Sequence, residues 1–308
     1  MTTSLGAHQS LASPIRMRIV DTPEQMHSVC AEIRRNGRRM GLVPTMGALH
    51  DGHLSLIRMA RAQCDVVAAS IFVNPLQFGP NEDFSKYPRT FESDCRKLES
   101  EKVDLLFAPT PEAMYPGGAK TFVEVAEISD RLDGRSRPGH FRGVATVVTK
   151  LFTIVQPDLA FFGQKDAAQV AIIQQLVRDL NLGVEIVVAP IVREPDGLAM
   201  SSRNVYLSPQ ERKQGLVLYR ALNRVQTLAD RGEKNTAALI AKGKEVIGEE
   251  PSARLDYFEI VNPRTLEPVS DLTSGALVAV AAWVGNTRLI DNVMLGSPGQ
   301  AAPDLGGE

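Results

Sequence analysis

The chain has 308 residues, 44% hydrophobic and 23% charged, the balance of a globular protein able to bury a sizeable core in one large or two ordinary domains. Its formal net charge of −2 gives no electrostatic case for nucleic acid or an anionic membrane as partner. The three cysteines, Cys30, Cys64 and Cys95, form no Cys-x-x-Cys, which argues against a disulfide framework or a cysteine zinc site and fits a reducing cytoplasm.

Met1 to Pro14 is polar without an apolar core, so no signal peptide is expected, and residues 1–16 read as a loose terminus. Thr22 to Arg35 reads as a helix, with Thr22 as cap, Pro23 in its first turn and Met26, Val29, Cys30 and Ile33 on one face. Arg39 to Pro44 is a strand, and Leu54, Ile57, Ala60 and Arg61 continue a helix after it. Val66 to Asn74 is almost wholly apolar, like a strand buried on both faces of a parallel sheet, and far too short to span a bilayer. A long polar loop, Pro75 to Thr90, follows; such loops are usually functional. Phe91 to Lys102 is a polar helix, Val103 to Ala108 a strand, and Thr121 to Val125 a short strand. Arg135 to Gly143 reads as a basic loop. Helices over 144–155 and 167–180 alternate with strands over 158–163 and 184–189.

This alternation predicts an α/β fold with a doubly wound, Rossmann-like parallel sheet, whose ligands bind beyond the carboxyl ends of the strands. The pattern changes after Pro190. Pro195-Asp196-Gly197 signals a turn, helices follow over 209–230 and 236–249, and strands over 255–261, 277–284 and 288–295. The expected division is therefore residues 1–191 as a nucleotide-binding domain and 192–308 as a smaller α+β lid domain. A hinge is expected near 191–197 and a disordered tail from Gly296 to Glu308.

The stretch between the second helix and the strand before it carries the chemistry. Pro44-Thr45-Met46-Gly47-Ala48-Leu49-His50-Asp51-Gly52-His53 puts two of the chain's five histidines at the start of a helix. Free N–H groups and the helix dipole favour an anion there, and glycines at 47 and 52 allow positive φ and a close approach by a ligand. Imidazoles three residues apart aim the same way from a first helical turn. The stretch lacks the Gly-Lys-Ser/Thr ending of a P-loop, and His-Asp-Gly-His is not His-Glu-x-x-His. A zinc pair and an incidental turn stay open as alternatives.

Gly163-Gln164-Lys165-Asp166 follows a strand directly. Lys165 suits a phosphate, and Asp166 either a ribose hydroxyl, an ammonium or a helix cap. Met200-Ser201-Ser202-Arg203 offers hydroxyls and a guanidinium to phosphate oxygens, or is a solvated turn. Gln77 and Gln169 are amides able to donate and accept without adding charge. Arg137 and His140 form either a substrate-facing cluster or, the favoured reading, an ordinary basic loop. Asp94 either reaches magnesium or lies on a solvated helix face.

Taken in order, these stretches, with Phe72-Val73-Asn74-Pro75-Leu76-Gln77-Phe78, Tyr87-Pro88-Arg89-Thr90 and Met200-Ser201-Ser202-Arg203-Asn204, resemble the pantoate–β-alanine ligase family over roughly residues 17–295. Asp51 stands where glutamate is more usual, and Ala167-Ala168 replaces an aromatic-Gln pair before Gln169. The resemblance implies a cytidylyltransferase-like nucleotide-binding fold and ATP-dependent condensation of pantoate with β-alanine. That reaction runs through pantoyl adenylate and releases pyrophosphate and AMP. It implies His50, His53, Lys165, Ser201, Ser202 and Arg203 as the catalytic electrostatic set. ATP contacts are implied at Met46, Gly47, Ala48, Leu49, His50, Asp51, Gly52, His53, Gly163, Gln164, Lys165, Asp166, Val192, Met200, Ser201, Ser202 and Arg203. Pantoate falls to Gln77 and Gln169, β-alanine to Gln77, and Mg2+ to the ATP phosphates, with no metal ligand assigned to the protein and Asp94 left as the one candidate. The resemblance also implies a cytoplasmic homodimer paired through the larger domain. Rival readings are a nucleotidyltransferase of the same superfamily, a nucleotide-binding regulatory protein without turnover, and a zinc hydrolase.

Overall fold

A computed structural model describes residues 17–80 and 82–296; the loose segment expected over 1–16 and, but for Gly296, the expected tail lie outside the described residues. The elements in order are β1 (Arg18–Val20), α1 (Pro23–Arg35), β2 (Met40–Thr45), α2 (Asp51–Gln63), β3 (Val66–Ile71), α3 (Phe91–Ser100), β4 (Leu105–Phe107), α4 (Pro111–Met114), α5 (Asp133–Ser136), α6 (His140–Val155), β5 (Leu159–Gly163), α7 (Ala167–Asp179), β6 (Glu185–Ala189), α8 (Pro209–Asp230), α9 (Thr236–Gly248), β7 (Ala253–Val261), β8 (Ala276–Val284) and β9 (Thr287–Leu295).

Six strands form one parallel sheet in the order β1-β4-β3-β2-β5-β6. The apolar run in β3 is buried on both faces. Val66 and Ala68 join one apolar cluster with α1, α6 and α7, while Val67 and Ala69 join another with α2 and α3. From β2 the chain builds outward through β3 and β4, then returns to the other side of β2 for β5 and β6. The crevice between β2 and β5 is therefore the switch point of the sheet, where such folds bind ligands.

The two central strands part at this crevice. β2 pairs with β5 only at Gly41 and Leu42, whereas β5 and β6 stay paired as far as Gly163 and Ala189. Pro44 suits the opening. Met40 O accepts from Asp158 N on the β5 side, and Pro44, an even number of residues on, turns the same edge towards β5 with no N–H to donate.

In the C-terminal part, β7, β8 and β9 form an antiparallel sheet. One face packs on α8 and α9 through residues such as Leu222, Leu239, Phe258 and Val280. The other face contributes Tyr257, Val261, Leu277, Ala279 and Ala281 to the cluster under the parallel sheet, so the two parts share one continuous apolar core. No helix of the described residues is long and apolar enough to cross a membrane.

Two expectations change, and the region of the expected hinge takes a defined shape. Residues 121–125 form no strand; Val123 N donates instead to Thr146 Oγ1 at 3.0 Å, leaving a β-prone segment with a side chain rather than a strand as its partner. The basic loop over 135–143 is the end of α5 and the first turn of α6, with Gly139 in the left-handed region before His140. The expected hinge over 191–197 holds a closed turn. Glu194 N donates to Leu198 O at 2.8 Å, and Asp196 pairs with Arg212 of α8.

Candidate active site

The histidine turn runs from Thr45 at the end of β2 to Asp51 at the start of α2. Asp94 ties it down from α3. Its carboxylate accepts from Ala48 N and Leu49 N, both at 2.9 Å, and from Thr90 Oγ1 at 3.1 Å. Asp94 is 1% exposed, so the sequence expectation of a solvated face is corrected, and its oxygens are spent on backbone rather than on an ion.

His50 is the N-cap of α2. Its Nδ1 accepts from Gly52 N at 3.2 Å, and His53 Nδ1 accepts from His50 N at 3.4 Å, so the two residues cap each other. A ring nitrogen that accepts from a backbone N–H carries no proton; both imidazoles are therefore the neutral Nε2–H form. Burial, above all, lowers their pKa values, to about 4 for His50 and about 3 for His53, with Lys165 pushing the same way. The ring centroids lie 4.1 Å apart. Gly52 does not supply the positive φ expected of it. It supplies room, because a Cβ there would lie 2.9 Å from the His50 ring. The zinc reading fails on the same geometry, since a metal bound at Nε2 would require a proton on the Nδ1 atoms that here accept.

Across the crevice, β5 ends at Gly163, and Lys165 follows in a single 3-10 turn with its Nζ 3.3 Å from Asp166 Oδ1. Asp166 makes no capping bond to α7. Burial, the largest single influence, would raise its carboxyl, but Lys165, His53 and Arg203 together hold it below the usual carboxylate range.

Two loops cover the crevice. In the first, Asn74 Nδ2 donates to Gly143 O at 3.0 Å and to Gln77 Oε1 at 3.2 Å, and Tyr115 donates to Asn74 Oδ1 at 2.9 Å. Gly143 makes that docking possible: a Cβ there would sit 2.2 Å from Leu76 O. His140 donates from Nδ1 to Gln77 O at 2.8 Å and accepts at Nε2 from Arg137 at 3.0 Å, while Arg137 grips Glu82 with two further bonds. Burial and Arg137 lower the His140 pKa to about 4, so it too is neutral. In the second loop Arg203 forks onto both oxygens of Asp83 at 3.0 Å, and the Ser202 hydroxyl lies 3.1 Å from Tyr87 Oη.

These parts enclose two adjoining cavities. The inner one, about 220 Å³, reaches from His50, His53, Lys165 and Asp166 to an apolar end at Phe72, Val144, Val147, Val148 and Phe162, flanked by Gln77 and Gln169. Met46, Gly52, Gly163, Val192, Met200, Ser201, Ser202 and Arg203 also line it. The outer one, about 730 Å³, opens towards β9 and shares Arg137, His140, Lys165, Asp166, Gln169, Ser201 and Arg203. Of the sequence candidates, Gly47, Ala48, Leu49, Asp51 and Gln164 line neither cavity. The Leu49 side chain is buried in the core, Asp51 is exposed, and Gln164 turns to Asn292. Residues 47–49 shape the turn from behind.

Sequence reasoning gives no role to Asn74, Glu82, Asp83 or Tyr87 and, of the two readings of Arg137 and His140, favours an ordinary basic loop over a substrate-facing cluster, whereas both residues line both cavities. The length of the 75–90 loop is the available signal; the pairings themselves join residues up to 120 positions apart. Among the described residues no three His, Cys, Asp or Glu side chains converge as metal ligands, and the Asp94 carboxylate is engaged by two backbone N–H groups and the Thr90 hydroxyl.

The comparisons with known proteins agree on one family. The family model described as pantoate-beta-alanine ligase matches residues 18–294. Pantothenate synthetase from Koribacter versatilis is 60% identical over 285 residues, covering 92% of this chain and 98% of its own; that from Thermotoga neapolitana is 55% identical over 280 residues, covering 91% and 100%. The crystal structure of pantothenate synthetase from Thermus thermophilus superposes with a TM-score of 0.86 at 48% identity, covering 90% of this chain and 99% of that one. Pantoate-beta-alanine ligase from Francisella tularensis, solved with beta-gamma ATP and beta-alanine, gives 0.75 at 38% identity, covering 90% and 97%. Sequence, sheet order and the paired histidines thus point the same way, and this chain is an enzyme that belongs to the pantoate–β-alanine ligase family.

Proposed function

We propose that the chain joins pantoate to β-alanine at the β2–β5 crevice, in two steps through pantoyl adenylate. The observation that carries this reading is that two neutral imidazoles, Lys165, two amides and a set of apolar side chains line one chamber. Such a chamber suits ATP phosphates at its charged end. The gem-dimethyl carbon of pantoate fits against Val144, Val147 and Val148, with its hydroxyls on Gln77 and Gln169.

In the first step a pantoate carboxylate oxygen attacks the α-phosphorus of ATP, and the bond to the β-phosphate oxygen breaks. His50 and His53 donate to phosphate oxygens without bringing a charge that needs solvation, while Lys165 and Arg203 balance the growing negative charge. Ser201 and Ser202 add hydroxyl donors. In the second step the β-alanine amine attacks the acyl carbon, AMP leaves, and the amine sheds a proton. No protein nucleophile is needed. Magnesium is assigned to the ATP phosphates as part of the substrate, with no ligand from Asp94.

A mixed anhydride hydrolyses in open water. The 75–90 loop and the C-terminal part, residues 192–308, are read as the shields over it, with 1–191 carrying nucleotide and pantoate. The turn over 192–200 is closed by its own backbone bonds and fastened to α8, so residues 190–191 are read as the joint between the two parts. A reducing cytoplasm suits the three free cysteines, and a homodimer paired through the larger part is carried over from the family resemblance; sedimentation tests the latter.

The test is AMP release from ATP with pantoate and β-alanine added singly and together. Release that requires both supports the ligase. Release with either alone at the full rate, or none at all, rejects it.

A further inference from the structure

The backbone of the catalytic lysine proposed above is hydrogen-bonded by the other part of the molecule. Gln164, Lys165 and Asp166 form one turn between β5 and α7, without a side-chain cap. The carbonyl oxygens of Gln164 and Lys165 both point at one side chain of the C-terminal sheet. Asn292 Nδ2, on β9, donates to Gln164 O at 3.0 Å and to Lys165 O at 2.9 Å. Its Oδ1 accepts from Gln164 Nε2 at 3.1 Å. Asn292 is 3% exposed, so these bonds are made away from competing water.

Asn292 is itself fixed. Its N–H donates to Asp291 Oδ1 at 2.8 Å, and Asp291 is gripped by both guanidinium nitrogens of Arg193, at 2.7 and 2.9 Å. Asp291 is 4% exposed, and losing its partner would leave a buried charge unpaired. A chain of bonds thus runs from Arg193, at the junction of the two parts, through Asp291 and Asn292 to the backbone of Lys165.

We propose that Asn292 is a positioning residue for Lys165, so that the lysine reaches its working place only when the C-terminal sheet is seated on the parallel sheet. Adenylate formation then waits for the same seating that shields the intermediate. The inference rests on the reading that Lys165 meets the phosphates. Two variants separate position from bulk: Asn292→Ala removes the whole contact, and Asn292→Asp keeps the volume and the acceptor, loses the donor and sets a negative charge against the two carbonyls.

The experiment is a double-mutant cycle on pantoate-dependent ATP–pyrophosphate exchange. Both variants are expected to lower exchange by on the order of 10- to 100-fold, the scale of a misplaced catalytic group. In a Lys165→Ala background the same changes should cost less than about threefold, since the group they position is gone. No loss with Lys165 present, or an equal loss in both backgrounds, overturns the inference, because a merely structural role multiplies regardless of Lys165. Failure of the functional reading shows differently: the unaltered chain itself then lacks pantoate-dependent exchange. Deuterium uptake over residues 163–167 then decides the inference; faster uptake in Asn292→Asp supports it and unchanged uptake overturns it.

Discussion

The histidine turn and the 75–90 loop face the same crevice, yet they are held by different kinds of bond. The turn is tied by backbone N–H groups: two to Asp94, one to each histidine ring. The loop has neutral ties at Gln77 and Tyr87, but its rim is tied by side-chain charges, Glu82 to Arg137 and Asp83 to Arg203. Backbone donors have no competing job, so the turn is finished before any ligand arrives. The two arginines, in contrast, are the groups an anionic substrate would want. The loop is thus fastened by contacts that a substrate's phosphates or carboxylate can take over, which separates a preorganised site from an exchangeable cover.

The largest expected effect strikes the preorganised side. His53→Ala should lose about 10²–10³ in turnover, the scale of one charge-stabilising donor. His53→Gln, whose amide donates from a similar reach, should recover part of it in the same assay. Unchanged turnover in His53→Ala removes the residue from the mechanism.

Next in size is the turn's own anchor. Asp94→Ala orphans two backbone N–H groups and should cost about 2–4 kcal/mol in urea unfolding. A magnesium role would instead leave stability intact and shift the magnesium dependence of activity. Acid should loosen the same turn. The folded chain holds His50 and His53 neutral down to about 4 and about 3, against an ordinary 6.5. As pH falls, the unfolded chain takes up protons first. The contribution of these residues is therefore complete above about pH 6.5 and drains away towards pH 4. His50→Asn should flatten that slope in thermal melts; an unchanged slope contradicts the assignment.

The smallest expected effect falls on the exchangeable side. Asp83→Asn frees Arg203 from a partly exposed pair worth about 1 kcal/mol, so the KM for ATP should fall by up to about fivefold with little change in stability. A raised KM would mean that Asp83 helps to close the cover rather than competing for the guanidinium.

The same division explains what is legible in the sequence. The histidine turn, the Gly163–Asp166 corner and the alternating strands are local signals, written in consecutive residues, and the sheet and both central corners follow from them. β1 escapes such a reading because its three residues are too few to show alternation, and the strand expected over 121–125 lacks a pairing partner. Asp94 lies 45 positions from the Leu49 N–H it satisfies, and Arg203 lies 120 from Asp83; no spacing rule in one sequence joins such pairs. Asn292 is beyond local reading for the same reason, since its partners stand 127 and 128 residues away.

The central claim is that the crevice makes an acyl adenylate before the amine acts. Labelled pyrophosphate exchange into ATP, measured with pantoate present and β-alanine absent, tests it most directly. The account predicts exchange that requires pantoate and falls by about 10²–10³ in His53→Ala. Exchange that needs β-alanine, or none in an enzyme that still forms product with both acids, would contradict the two-step assignment.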